Sequence, residues 1–76
     1  MKEQIIKILT ELRPEFDFSI EGVDFIEEGM LDSFDIVSLV DSIESDLGIA
    51  ISGIDVIPEN FSTVDAIINT IKKNKK

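Results

Sequence analysis

Two stretches of this chain hold residues whose types and spacing could do chemistry. The first is Asp32-Ser33-Phe34-Asp35, a hydroxyl between carboxylates, approached through Glu27-Glu28-Gly29. Serine ahead of an apolar-periodic segment is a preferred helix N-cap, and that is the plain reading of Ser33. A hydroxyl at a helix N-terminus is also where an attached phosphate is best tolerated, because free amides and the helix dipole favour anions there. Ser62, in Ser62-Thr63-Val64-Asp65, offers an internal comparison: it fits a capping box and has nothing further to explain. The second stretch, DFSIEGVDFIEE from Asp17 to Glu28, matches the calcium-loop template at its first, fifth, sixth and twelfth positions, with Ser19 at the third. Asp24 stands at the eighth position, where paired loops need an apolar residue, and Gly29 follows where an exit helix should run. No specific metal site is expected, only weak divalent-cation binding that would relieve self-repulsion in an acidic fold.

The absences narrow the chemistry further. Without cysteine there is no disulfide, thiolate zinc site or cysteine nucleophile, and without histidine there is no Ser-His-Asp or Cys-His catalysis. At 76 residues the chain has room for one domain, so it is not expected to be an enzyme. A hydrophobic content of 43%, with isoleucine at 14 positions, is too high for a disordered chain even at a net charge of -9. The N-terminus leads into an amphipathic stretch rather than a signal-like apolar run, and nothing approaches the length of a membrane span. A cytoplasmic monomer is the expectation.

The charge is segregated. Lys2, Lys7 and Arg13 come early, Lys72, Lys73, Lys75 and Lys76 come last, and from Pro14 to Ile71 there are fourteen acidic residues and no base. Such a middle repels phosphate backbones and anionic membranes, so no nucleic-acid partner is expected. Solubility alone would account for an acidic excess; the unbroken run favours a surface that meets basic partners.

The elements that must position these residues follow from apolar spacing. Ile5, Ile8, Leu9 and Leu12 predict a helix over about 2–13, closed by Pro14, which disfavours helical backbone at Arg13. Residues 14–32 show no sustained period and read as a long ordered loop with apolar anchors, a length usually kept for function. Ile36, Leu39, Val40, Ile43 and Leu47 predict a helix over about 33–47, capped by Gly48. Residues 49–54 (IAISGI) read as a buried connector, since a lone apolar run has no strand to pair with. A short helix around 55–61, interrupted by Pro58, and a helix over about 62–74 with Val64, Ile67, Ile68 and Ile71 inward complete the chain. The fold class is all-α: a small bundle of three main helices and one short one.

At about 100° per residue, Ile36, Val40, Ile43 and Leu47 gather on one side of the second helix and Phe34 lands roughly opposite, beside Asp41 and flanked by Val37 and Glu44. An apolar anchor in an acidic rim resembles a docking site for basic partners, although one exposed aromatic, or an anchor for the preceding loop, is ordinary.

Phe25 to Phe34, FIEEGMLDSF, followed by DIVSLVDSIESDLGI, resembles the attachment region of the acyl carrier protein family, whose Asp-Ser-[Leu/Phe] motif holds the modified serine. The similarity spans nearly the whole chain, through FSTVDAI at the start of the last helix. It implies an acyl carrier protein-like bundle in which Ser33, with Asp32 adjacent, receives 4′-phosphopantetheine from coenzyme A through a phosphopantetheinyl transferase and magnesium. The arm would hold acyl groups as thioesters and deliver them to enzymes of fatty-acid, polyketide or specialised biosynthesis. That would place the working thiol on the cofactor, not the chain. Partners with basic patches would dock on Phe34, Asp35, Val37, Asp41 and Glu44. Ser38 stands where the family often has an acid and Asp41 where an apolar residue is common, which leaves the partner enzymes open. EEGMLDSF is closer to D-alanyl carriers of the teichoic-acid pathway and to peptide-synthetase carriers, whereas GIDVIPENFSTVDAI looks like a generic discrete acyl carrier. A stand-alone acyl carrier is the first reading, a D-alanyl or other aminoacyl carrier the second, and an acidic calcium-binding or interaction domain with unmodified Ser33 a remote third.

Overall fold

A computed structural model describes residues 1–75, and its three main helices arise where apolar spacing meets a stop signal. Helix α1 runs Lys2–Leu12, buries Ile5, Ile8 and Leu9, and ends at Arg13, whose backbone (φ -134°, ψ 79°) has left the helical region that the following proline disfavours. Helix α2 runs Ser33–Leu47 and buries Ile36, Leu39 and Ile43. Gly48 ends it at φ 65°, donating its amide to the Glu44 carbonyl, a left-handed cap that a residue with a Cβ adopts only at a cost. Helix α3 runs Val64–Asn74 with Val64, Ile67 and Ile71 inward and Lys72 and Lys73 at its negative dipole end.

These three faces close on one core, completed by Phe18, Phe25, Met30, Leu31, Ile51 and Phe61 from the connections. Burying side chains of this kind stabilises by roughly 1.5–3 kcal/mol each, so the loop anchors Phe18 and Phe25 hold the 14–32 segment as firmly as a helix face would. Their rings meet edge to face at 5.0 Å. The loop is also tied by its backbone. Phe25 donates to the Ser62 carbonyl at 2.7 Å, and the Phe25 carbonyl accepts from Met30 at 2.8 Å and Leu31 at 3.1 Å. That turn delivers the chain, through buried Leu31, to the start of α2.

The structure differs from the sequence reading in three places. The short helix over 55–61 is two 3-10 turns, η1 at Gly53–Asp55 and η2 at Pro58–Phe61, because proline suits the first position of a turn and cannot continue one. Helix α3 starts at Val64 with Thr63 as its cap, so Ser62 is not the cap; its hydroxyl donates instead to the Glu59 carbonyl at 3.1 Å. The 49–54 connector is buried only at Ile51, and Ile54 is 82% exposed. Among the described residues no helix is long and apolar enough to cross a membrane.

Candidate functional site

The start of α2 is built by two carboxylates that cap each other. Asp32, in extended backbone, accepts the Asp35 amide on Oδ1 at 3.1 Å, and Asp35 Oδ2 accepts the Asp32 amide at 3.0 Å, a reciprocal capping box. Ser33 is therefore not the N-cap but the first helical residue. Its side chain is exposed, and its hydroxyl makes no hydrogen bond among the described residues. The amides of Ser33 and Phe34 likewise have no acceptor there, as befits the first turn of a helix. A nucleophilic oxygen free of internal bonds, beside two open amides, suits the attachment of a phosphoryl group.

Arg13 holds this arrangement from outside the helix. Its Nε lies 3.1 Å from both Asp35 carboxylate oxygens, its Nη2 lies 2.8 Å from Asp35 Oδ2, and the same Nη2 lies 3.8 Å from Asp32 Oδ2. Asp35 is only 7% exposed. Burial pushes its carboxyl up, but hydrogen bonds from Arg13 and the Asp32 amide, together with the Arg13 charge, outweigh burial and hold it below the usual aspartate range. The Arg13 guanidinium is correspondingly raised, chiefly by its hydrogen bonds to Asp35.

This corrects the docking set. Asp35 faces inward and is occupied by Arg13, because the third helical position already turns toward the core. Glu44 is half-buried and accepts the Ile51 amide on Oε2 at 2.8 Å, so it pins the connector rather than facing a partner. Phe34 at 85% exposed, Val37 at 64% and exposed Asp41 remain free, at positions that share one face of α2. Ile54 is a large exposed apolar side chain that sequence reading missed. A short apolar run with no period gives no signal for which member faces out.

The calcium-like loop serves other ends. Asp17 accepts both the amide and the hydroxyl of Ser19, whose hydrogen bonds lower its carboxyl pKa. Asp24 Oδ1 accepts the amides of Ile26 and Glu27, and Glu21 pairs with Lys2 at 3.1 Å. Among the described residues no group of three or more potential ligands could hold a metal ion. A cleft of about 370 Å³ opens between the start of α1, the loop and the start of α3, lined by Lys2, Phe18, Glu21 and Val64 among others, none of them from α2.

No family model matches the chain.

Proposed function

We propose that this protein is a discrete carrier of the acyl carrier protein kind, with 4′-phosphopantetheine attached to Ser33 Oγ. The observation that carries this reading is the exposed first-turn hydroxyl left free because Asp32, not Ser33, caps the helix. The order of elements, a helix, a long anchored loop, the serine-led acidic helix, short turns and a last helix, supports the acyl carrier protein-like fold. In the modification Ser33 Oγ bonds to the pantetheine-side phosphorus of coenzyme A, that phosphorus gives up its bond to the bridging oxygen, and adenosine 3′,5′-bisphosphate leaves. The hydroxyl proton passes to a general base in the complex with the transferase. When bound, the group supplies the thiol on which cargo is held as a thioester. The chain's own part is to present the oxygen, offer the Ser33 and Phe34 amides to the phosphodiester charge, and expose Phe34, Val37 and Asp41 to enzymes with basic patches.

An acyl cargo is our first reading. The resemblance of EEGMLDSF to D-alanyl carriers supports an aminoacyl cargo as the second. The test is intact-mass measurement after incubation with a promiscuous phosphopantetheinyl transferase, coenzyme A and magnesium. Wild type gains one phosphopantetheine and Ser33→Ala gains none; an unmodified wild type sinks the proposal. Offering loading enzymes with acyl groups and with D-alanine to the modified protein then separates the two cargoes.

A further inference from the structure

We propose that Arg13 is a positioning residue for the attachment site: it fixes the helix cap at Asp32 and so keeps the Ser33 hydroxyl free to react. The proposal rests on the carrier reading for its consequence, though not for its geometry.

Asp32 and Ser33 are adjacent and both are good cap residues, so α2 has two nearly equivalent places to begin. If Ser33 capped the helix, its Oγ would accept an amide two or three residues on and would no longer stand free. With the cap at Asp32, the third helical residue is Asp35, which completes a capping box from a buried position. A buried carboxylate without a cation is costly. Arg13 removes that cost with a forked contact to both Asp35 oxygens, at 3.1, 3.1 and 2.8 Å. With the cap at Ser33 the third residue would be Ile36, which has no group to return a bond to the cap. The choice between the two starts is thus made by a residue 22 positions upstream of Asp35.

The origin of Arg13 is telling. It is the only base between Lys7 and Lys72, and it follows α1 directly, where Pro14 keeps the backbone out of the helical region and α1 packs on the same core as α2. Global stability is a poor reason for such a pair, since buried ion pairs are often no better than apolar packing of the same volume. A planar fork does something packing does not: it fixes two oxygens in one orientation. Its Nη2, 3.8 Å from Asp32 Oδ2, also offsets the carboxylate beside the oxygen that is to receive an anionic phosphodiester.

The test compares Arg13→Gln and Arg13→Lys with Lys73→Gln, which breaks the other buried acid's ion pair, that of Asp55 with Lys73 at 2.8 Å. All are assayed well below their melting temperatures for transferase kinetics, and Ser33 carbon chemical shifts are read in the unmodified proteins. In Arg13→Gln, kcat falls about fivefold to tenfold, the equivalent of one helix cap. KM for the carrier stays within about twofold, because Phe34, Val37 and Asp41 are untouched, and Ser33 shifts move from helical toward cap values. Arg13→Lys, with the charge and without the fork, recovers part of the rate, and Lys73→Gln matches wild type. A folded Arg13→Gln protein with wild-type kcat, or with helical Ser33 shifts, overturns the proposal, as does an equal rate loss in Lys73→Gln. Should Arg13→Gln not fold, Arg13→Lys decides by the same shifts. Absence of modification in wild type would fail the carrier reading alone, because the Ser33 shifts judge the cap choice without any transferase.

Discussion

Helices α2 and α3 both have a serine close to their start and both carry an aspartate in the first turn, yet the two starts present opposite surfaces. At α3 both hydroxyls are engaged. Thr63 accepts the Ala66 amide at 3.0 Å, the Ser62 hydroxyl is held by the Glu59 carbonyl, and the first helical residue, Val64, is buried, while Asp65 stands exposed and unbonded among the described residues. At α2 the order is inverted: Ser33 and Phe34, first and second, face water, and the aspartate of the third position goes in. The chain reaches α3 straight from η2, whose Phe61 is in the core, so residue 64 follows it inward; it reaches α2 from Leu31, and Asp35 and Ile36 are the next to turn in. Similar residues therefore make a purely structural cap in one place and an open, reactive-looking one in the other. What separates them is which position the entering chain turns inward, and at α2 the acid that is buried as a result is paired with Arg13.

The comparison breaks most decisively at the two serines. Ser33→Ala is expected to abolish phosphopantetheine uptake in an intact-mass assay, whereas Ser62→Ala leaves it complete; uptake that survives Ser33→Ala would mean the open cap is not the acceptor. The first-turn aspartates come next. Asp35→Ala removes a capping partner and leaves Arg13 without its fork, and is expected to cost about 2 kcal/mol in urea unfolding, below the usual range for breaking a buried pair because the arginine can reach water. Asp65→Ala should stay within about 0.5 kcal/mol. Equal losses at the two would show that the buried acid of α2 has no special place. The caps themselves differ less. Thr63→Ala should cost about 1 kcal/mol, and Asp32→Ala about half of that, because Ser33 can take over as cap one residue on. A loss at Asp32 as large as at Thr63 would argue that the second start is closed to the helix.

These differences explain what could be read in the sequence and what could not. The helices were legible because each depends on its own spacing and stop signal: Ile5, Ile8 and Leu9 before Pro14, and Ile36, Leu39 and Ile43 before Gly48. The exposure of Phe34 was legible for the same reason, since a helical wheel that places Ile36 and Ile43 inward leaves it facing out. The orientation of Asp35 was not, because a charged residue on a wheel is assigned to solvent unless its partner is known, and the partner lies 22 residues away across a loop. Nor was the choice of cap, since both Asp32 and Ser33 satisfy the local rule and a tertiary contact decides between them. Glu44 and Ile54 failed together, for the connector between α2 and η1 has no period, and its path is set by single polar clasps such as Glu44 to the Ile51 amide.

The smallest effect expected is the dependence of stability on pH, and it compares the Arg13–Asp35 clasp with the one at the far end of the chain. Asp55 is buried, and hydrogen bonds from Lys73 at 2.8 Å and Asn74 at 3.0 Å lower its carboxyl pKa despite burial. Asp35 is lowered too, with burial as the largest opposing influence. A carboxyl held below its unfolded value of about 3.9 stabilises the fold at higher pH, because below that value the unfolded chain binds more protons. The contribution is thus complete above about pH 5 and is lost as pH falls through 3.9 toward the folded values. Relief of self-repulsion runs the other way as the net charge of -9 shrinks toward the pI near 4.2. Stability measured by urea unfolding should therefore be flat or slightly rising from pH 7 to about 4.5 and fall below about 4. Asp35→Asn and Asp55→Asn should each make that acid limb shallower. Carboxyl carbon titrations by NMR identify the groups responsible, and an Asp35 that titrates at the ordinary aspartate value would mean that Arg13 does not hold it.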